Sequence, residues 1–194
     1  MGVVDDAVAV LEAGQLVVLP TDTVYGLAAA AGHEEGVRRL LALKGKPPGT
    51  PIALVAGSVD QVLDAVPELD AGIVRALLPG PYTLVLGNPA GRYPWLCGDA
   101  PGAIGVRVPA LSGDTAAILE RSGPVAATSA NLHGGPDPCR LADVPEEIRV
   151  TALVVDGGDL PGTASTVIDF TGSEPRVIRE GAAPSADAIR RALD

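Results

Sequence analysis

Apolar residues come in short runs separated by polar, glycine-bearing or proline-bearing segments along most of this 194-residue chain. "VVDDAVAVLEAG" instead spaces its apolar positions at the helical period. Acidic residues fill its first turn and Gly14 follows its end, so it predicts a helix. "QLVVLP" predicts a short buried strand. "PTDTVYGLAAAAG" is a turn-rich polar segment that returns to apolar residues, placing Thr21, Asp22, Thr23 and Tyr25 near a strand end. "EEGVRRLLAL" is amphipathic, with its arginines towards solvent. A loop, "KGKPPGTP", then leads into the strand "PIALVAG", and "SVDQVLDAV" and "ELDAGIVRALL" predict two helices.

"YTLVLG" and "AIGVRVPA" read as strands, and "SGDTAAILERSG" as a helix with a Ser/Asp start and a glycine stop. "PVAATSAN" is a strand ending in small polar residues. "ALVVDGG", "STVIDF" and "PRVIREG" add three strands, and "SADAIRRAL" closes with a helix. These pieces alternate without strict βαβ order. The expected fold is therefore α/β, with a mixed parallel and antiparallel sheet flanked by helices. No repeat, linker or low-complexity tract interrupts it, so one domain over residues 1–194 is expected.

Composition sharpens this picture. Hydrophobic residues make up 47% but aromatics only 3%, so the core must be built from Ala, Val, Leu and Ile, which suits strands covered by Ala/Leu-rich helices. The 24 glycines and 18 prolines call for many sharp turns. A net charge of −10 argues against a nucleic-acid reader, yet leaves room for a local cationic pocket. Cys97 and Cys139 lie far apart and outside any C-x-x-C pattern, so neither a disulfide framework nor a zinc site is indicated. The acidic N-terminal segment is unlike a signal peptide and no apolar run is long enough to span a membrane. A cytoplasmic protein is expected.

Six polar clusters fall where strands end: "PTDTVYG", "KGKPPGTP", "VRVP", "TSAN", "STVID" and "VIREG". Ligands of open α/β sheets bind at strand ends, although these are also ordinary turn residues. The chain has only two lysines, Lys44 and Lys46, against twelve arginines. If that stretch is extended, both side chains leave one face about 6.6 Å apart. They then repel by roughly 2.5 kcal/mol at an effective dielectric near 20. A solvent-facing loop tolerates that; a partly enclosed site needs an anion, and a compact ammonium suits a phosphate oxygen.

No P-loop or dinucleotide fingerprint occurs. His33 and His133 are isolated, expected as surface residues, and give a Ser-His-Asp hydrolase little to build on. Asp156 and Asp159 in "DGGD" suit local backbone hydrogen bonds better than Mg²⁺. The chemistry indicated is charge stabilisation by cations and hydroxyls, which fits phosphoryl-type transfer.

"PTDTVYGLA", "KGKPPGTPI", "GPYTLVL", "VRVP", "TSANLHGGPDP" and "STVID" follow one another at a spacing that closely resembles the YrdC/TsaC family of threonylcarbamoyl-AMP synthases, from about Leu19 to Gly181. The resemblance implies a curved mixed sheet with a deep, positively charged cleft. It also implies a reaction, in which L-threonine, bicarbonate and ATP, accompanied by Mg²⁺, give threonylcarbamoyl-AMP and pyrophosphate. A downstream tRNA threonylcarbamoyl-transferase complex would use the product, with direct tRNA binding by this chain weak or absent.

Carried over by position, Lys44 and Lys46 resemble the family's catalytic pair facing the ATP phosphates, with Asn131, Cys139 and Arg179 on the nucleotide side. Thr23, Arg107, Ser129 and Ser165 resemble the threonine-binding groups, and "KGKPPGTP" is the candidate lid. Four positions depart from the family pattern. Lys46 stands where arginine is usual, Cys139 where Thr or Ser is, Ala164 where Glu or Pro is, and Glu180 where proline is. Two other functions would fit a divergent member: a carbamoyl-adenylate-forming enzyme with another substrate, or a non-catalytic RNA- or nucleotide-binding module.

Overall fold

The computed structural model describes residues 2–193. Among them, nine strands form one sheet: β1 (Val17–Pro20), β2 (Tyr25–Ala30), β3 (Ala53–Val55), β4 (Tyr82–Gly87), β5 (Ala103–Arg107), β6 (Val125–Ser129), β7 (Leu153–Val154), β8 (Thr166–Asp169) and β9 (Arg176–Arg179). Their order is β7-β1-β2-β6-β3-β5-β4-β8-β9. The β1/β7, β3/β5 and β4/β8 pairs are parallel and the other five antiparallel, so the sheet is mixed, as expected. The helices are α1 (Val3–Glu12), α2 (Glu34–Lys44), α3 (Val59–Ala65), α4 (Ala71–Leu77), α5 (Gly113–Ser122), α6 (Glu146–Thr151) and α7 (Ser185–Leu193).

The period-two alternation of each strand divides the sheet into two faces. Tyr25, Leu27 and Ala29 of β2, Leu54 of β3, Leu84 of β4 and Val106 of β5 join one core with Leu40 of α2 and Val74 of α4. On the other face Val17, Leu19, Ala28, Val55 and Val125 pack with Leu11 of α1 and Ile118 of α5. Those two helices cover only one end of that face. The rest of it is left open for a cavity.

Four sequence expectations need correction. The apolar part of "PTDTVYGLAAAAG" is a full strand, β2; both its faces are buried, so polar alternation could not mark it. Helix α6 was not expected: it is short and buries only Ile148, leaving no periodic stripe to read. His33 is not simply a surface residue. It caps α2, its Nδ1 accepting the Gly36 N–H at 3.1 Å, and its ring packs so closely on Gly14 that a Cβ there would fall 2.4 Å from it. Finally, Lys44 is not in an extended loop. It is the last residue of α2, and Gly45, at φ +69°, turns the chain out of the helix. The two lysines therefore do not leave one face of an extended segment.

Candidate functional site

A cavity of about 240 Å³ opens on the uncovered part of the second sheet face. Its floor is made of small residues from neighbouring strands, among them Gly26, Ala53 and Ala127. Around it stand Lys46, Arg107 and Arg179 with the hydroxyls of Thr21, Thr83, Ser129 and Ser165. No carboxylate belongs to this lining.

One wall is fixed by Arg107, the last residue of β5, paired with Val55. Its guanidinium forms an ion pair with Asp22, the two side chains being only 11% and 12% exposed. The same Nη2 donates to Thr23 Oγ1 at 2.8 Å. Asp22 also accepts the Ala110 N–H at 3.0 Å, so it is held from two sides. Burial pushes Arg107 below the ordinary guanidinium range, and the Asp22 charge partly offsets that. The Arg107 Nε is buried with no partner among the described residues. Thr23 is fully buried behind Arg107 and does not line the cavity.

The facing wall comes from β4, β8 and β9. Arg179 donates from Nε and Nη2 to the Ser165 carbonyl at 3.1 and 2.8 Å. Ser165 Oγ in turn lies 2.8 Å from Thr83 Oγ1. Glu180, which stands where the family pattern has proline, is not part of the cavity lining. Its carboxylate accepts the backbone N–H and the hydroxyl of Ser185, satisfying an orphan donor at the start of α7.

The loop after α2 brings Lys46 to the cavity, where the only hydrogen bond of its Nζ among the described residues is a 3.4 Å contact to the Pro51 carbonyl. The loop rests on the 97–99 segment, the Gly49 carbonyl accepting the Asp99 N–H at 3.0 Å. Lys44 is only 4% exposed and lies behind the lining with Asn131. Its Nζ donates to the carbonyls of Ser129 and Asn131 at 2.6 and 2.9 Å, to Asn131 Oδ1 and, at 3.3 Å, to Ser129 Oγ. Burial pushes Lys44 down to about 8, with Lys46 adding to the push and Asp137 opposing it. Lys46 is lowered too, by burial and then by Arg179.

Of the nine site residues carried over by family position, five line the cavity: Lys46, Arg107, Ser129, Ser165 and Arg179; Thr21 and the departure Ala164 line it too. Lys44, Asn131 and Thr23 support them from behind. Cys139 is not part of the lining; its thiol donates to Asp143 at 3.5 Å. Asp156 accepts from Gly158 N–H and Tyr25 O–H, at 2.9 and 3.0 Å, as the local hydrogen-bond reading expects. Two roles were missed. Asp22 was placed near a strand end without a partner, and Thr83 was overlooked although its position between Tyr82 and Leu84 turns it away from the core.

Residues 9–181 match the Sua5/YciO/YrdC family model, described as telomere recombination. A Mycobacterium tuberculosis protein, provisionally named a threonylcarbamoyl-AMP synthase, is 36% identical over 180 residues, covering 90% of this chain and 82% of its own. The Pyrococcus abyssi threonylcarbamoyl-AMP synthase is 35% identical over 176 residues, covering 88% of this chain and 52% of its own. The crystal structure of P. abyssi Sua5 complexed with L-threonine matches with a TM-score of 0.88 at 32% identity, over 97% of this chain and 56% of that one. Escherichia coli YciO matches with a TM-score of 0.81 at 27% identity, over 96% and 92%. The chain thus spans little more than half the length of the Pyrococcus relatives. No helix of the described residues is long and apolar enough to cross a membrane.

Proposed function

This chain belongs to the Sua5/YciO/YrdC family, and from that and the geometry of its cavity we propose that it is a threonylcarbamoyl-AMP synthase. It joins L-threonine, bicarbonate and ATP into threonylcarbamoyl-AMP and releases pyrophosphate and water. One observation carries the reading: three cations and the hydroxyls of Thr21, Thr83, Ser129 and Ser165 surround a small-floored cavity whose lining has no carboxylate. A triphosphate and an amino-acid carboxylate need such donors. A carboxylate-free wall also suits threonine better once its amine has become an anionic carbamate than while it is an ammonium.

In this reading Arg107, oriented by Asp22, takes the threonine carboxylate, and the hydroxyls of Ser129, Ser165 and Thr83 fit a small polar side chain. Lys46 and Arg179 take the triphosphate. A carbamate oxygen attacks the α-phosphorus, the bond to the β-phosphate oxygen breaks, and both cations carry the charge gathering on the departing pyrophosphate. Mg²⁺ comes as part of the ATP substrate, and with no carboxylate in the lining its ligands would be triphosphate and water oxygens. The product is a reactive mixed anhydride. A separate cytoplasmic transferase then passes its threonylcarbamoyl group to tRNA, since a chain of net charge −10 is a poor tRNA binder.

With Mg-ATP, L-threonine and ¹³C-bicarbonate, mass spectrometry should find an adenylate carrying the label. An adenylate without label, or none, would contradict the proposal.

Two further outcomes follow. Lys46→Ala is expected to lower kcat/KM for ATP by about 10- to 100-fold, the scale of one charge-assisted hydrogen bond, while Lys46→Arg stays near the parent because charge is kept and a fork added. Steady-state kinetics checks both; a crippled Lys46→Arg would mean that the site is built around an ammonium. The second outcome concerns pH. Lys44 is held down to about 8, so in the free enzyme it sheds its proton as pH rises through that value. Because kcat/KM reports free-enzyme ionisations, it should fall above about pH 8. Lys46→Ala should move the fall to higher pH, since the Lys46 charge is part of what lowers Lys44. A profile that stays flat well above pH 8 would speak against a protonated Lys44.

A further inference from the structure

The two lysines stand two residues apart in sequence but do different work. Lys46 lines the cavity with one long hydrogen bond to give up. Lys44 has nothing to give up. An ammonium has three N–H donors, and four oxygens share them: the Ser129 and Asn131 carbonyls, Asn131 Oδ1 and, at 3.3 Å, Ser129 Oγ itself. The Lys44 carbonyl also accepts the His133 N–H at 2.8 Å, so side chain and backbone together stitch the 129–133 turn to the end of α2.

This arrangement fixes a hydroxyl. Asn131 Oδ1, held by the Lys44 ammonium, accepts the Ser129 O–H at 2.7 Å, while Asn131 Nδ2 donates to the Gly135 carbonyl. The amide therefore cannot flip without losing partners at both ends. Ser129 has one proton, and it is committed. With one lone pair towards Lys44 Nζ at 3.3 Å, its oxygen offers the cavity a remaining lone pair, which suits an N–H and not a phosphate or carboxylate oxygen.

We propose that Lys44 is a positioning residue and not a phosphate ligand: through its own contact with Ser129 Oγ and through Asn131, it sets the Ser129 hydroxyl as an acceptor for the N–H of threonine or its carbamate. This rests on the synthase reading for the identity of the N–H donor, but the separation of the two lysines does not.

The test uses the whole chain with lysine Nζ labelled by ¹⁵N. Only two side-chain signals exist, assigned through Lys46→Arg. Inorganic pyrophosphate should shift the Lys46 signal and leave Lys44 in place. With or without ligand, the Lys44 ammonium protons should exchange with water far more slowly than those of Lys46. In kinetics, Lys44→Met should weaken threonine by about tenfold or more in KM while pyrophosphate affinity stays within about threefold, and its threonine effect should largely vanish in a Ser129→Ala background. Lys46→Gln should do the reverse, losing pyrophosphate and sparing threonine.

A Lys44 signal that follows pyrophosphate, or a Lys44→Met variant that loses pyrophosphate as Lys46→Gln does, overturns the proposal. So does fast exchange of the Lys44 ammonium, which needs no ligand and no substitution of Lys44. If the protein makes no adenylate at all, the synthase reading fails while slow exchange would still uphold the clamp on Ser129.

Discussion

Arg107→Ala is expected to abolish threonine-dependent pyrophosphate release and to destabilise the fold by about 3–5 kcal/mol, the cost of leaving a buried charge unpaired. Both follow from one geometry. The Arg107 and Asp22 side chains are about nine-tenths buried, and their partner groups come from the turn before β2 and from β5, 85 residues apart in sequence. Without the guanidinium, Asp22 keeps only the Ala110 N–H, and Thr23 Oγ1 loses the donor on its cavity side. Asp22→Asn should cost less stability, because a neutral amide needs less compensation, yet it should still weaken threonine by loosening Arg107. Denaturant unfolding beside threonine titrations checks both. An Arg107→Ala protein as stable as the parent would show that water already reaches Asp22.

Gly181→Ala should be nearly as damaging although residue 181 carries no functional group. A Cβ there would lie 2.2 Å from the Ala164 carbonyl oxygen and 2.6 Å from the Ser165 carbonyl. Those are backbone atoms and cannot swing aside, so β8 and β9 must part. The Ala182 N–H to Ala164 bond, 2.8 Å, and the Arg179 fork on Ser165 lie in the path of that movement. Overpacking of this kind costs about 1–3 kcal/mol. Displacing Arg179 and Ser165 by roughly 1 Å can cost about 100-fold in turnover. Gly87→Ala is the control, since a Cβ there meets nothing within 4 Å. Thermal unfolding and turnover of the two variants, side by side, decide the matter; a Gly181→Ala enzyme with parental turnover would mean that this wall can shift freely.

Most elements could be read from the chain because their signals are local. Gly14, Gly123 and the apolar runs marked ends and interiors directly. The signals that failed were those that burial erases. In β2, "YGLAAA" has no polar face to alternate with, and in α6 a single buried Ile148 makes no stripe. Lys44 was misplaced for a different reason. The glycine stop and basic last turn of α2 mark Lys44 as helical, but Gly45, Pro47 and Pro48 beside it carry an equally local loop signal. Pairings such as Arg107 with Asp22, or Lys44 with Asn131, join residues 85 and 87 apart. The packing of α2 and of the loops at the strand ends makes those contacts, and no local pattern encodes it. Family likeness supplied the site residues; geometry sorted them into those that face the cavity and those that hold the first group in place.

The most direct measurement is pyrophosphate release by the purified chain with Mg-ATP, omitting L-threonine or bicarbonate in turn. Release that requires both is the expected result, because the carbamate that attacks ATP needs both to form. Release that continues without threonine would contradict the synthase assignment and mark an adenylating enzyme with another substrate.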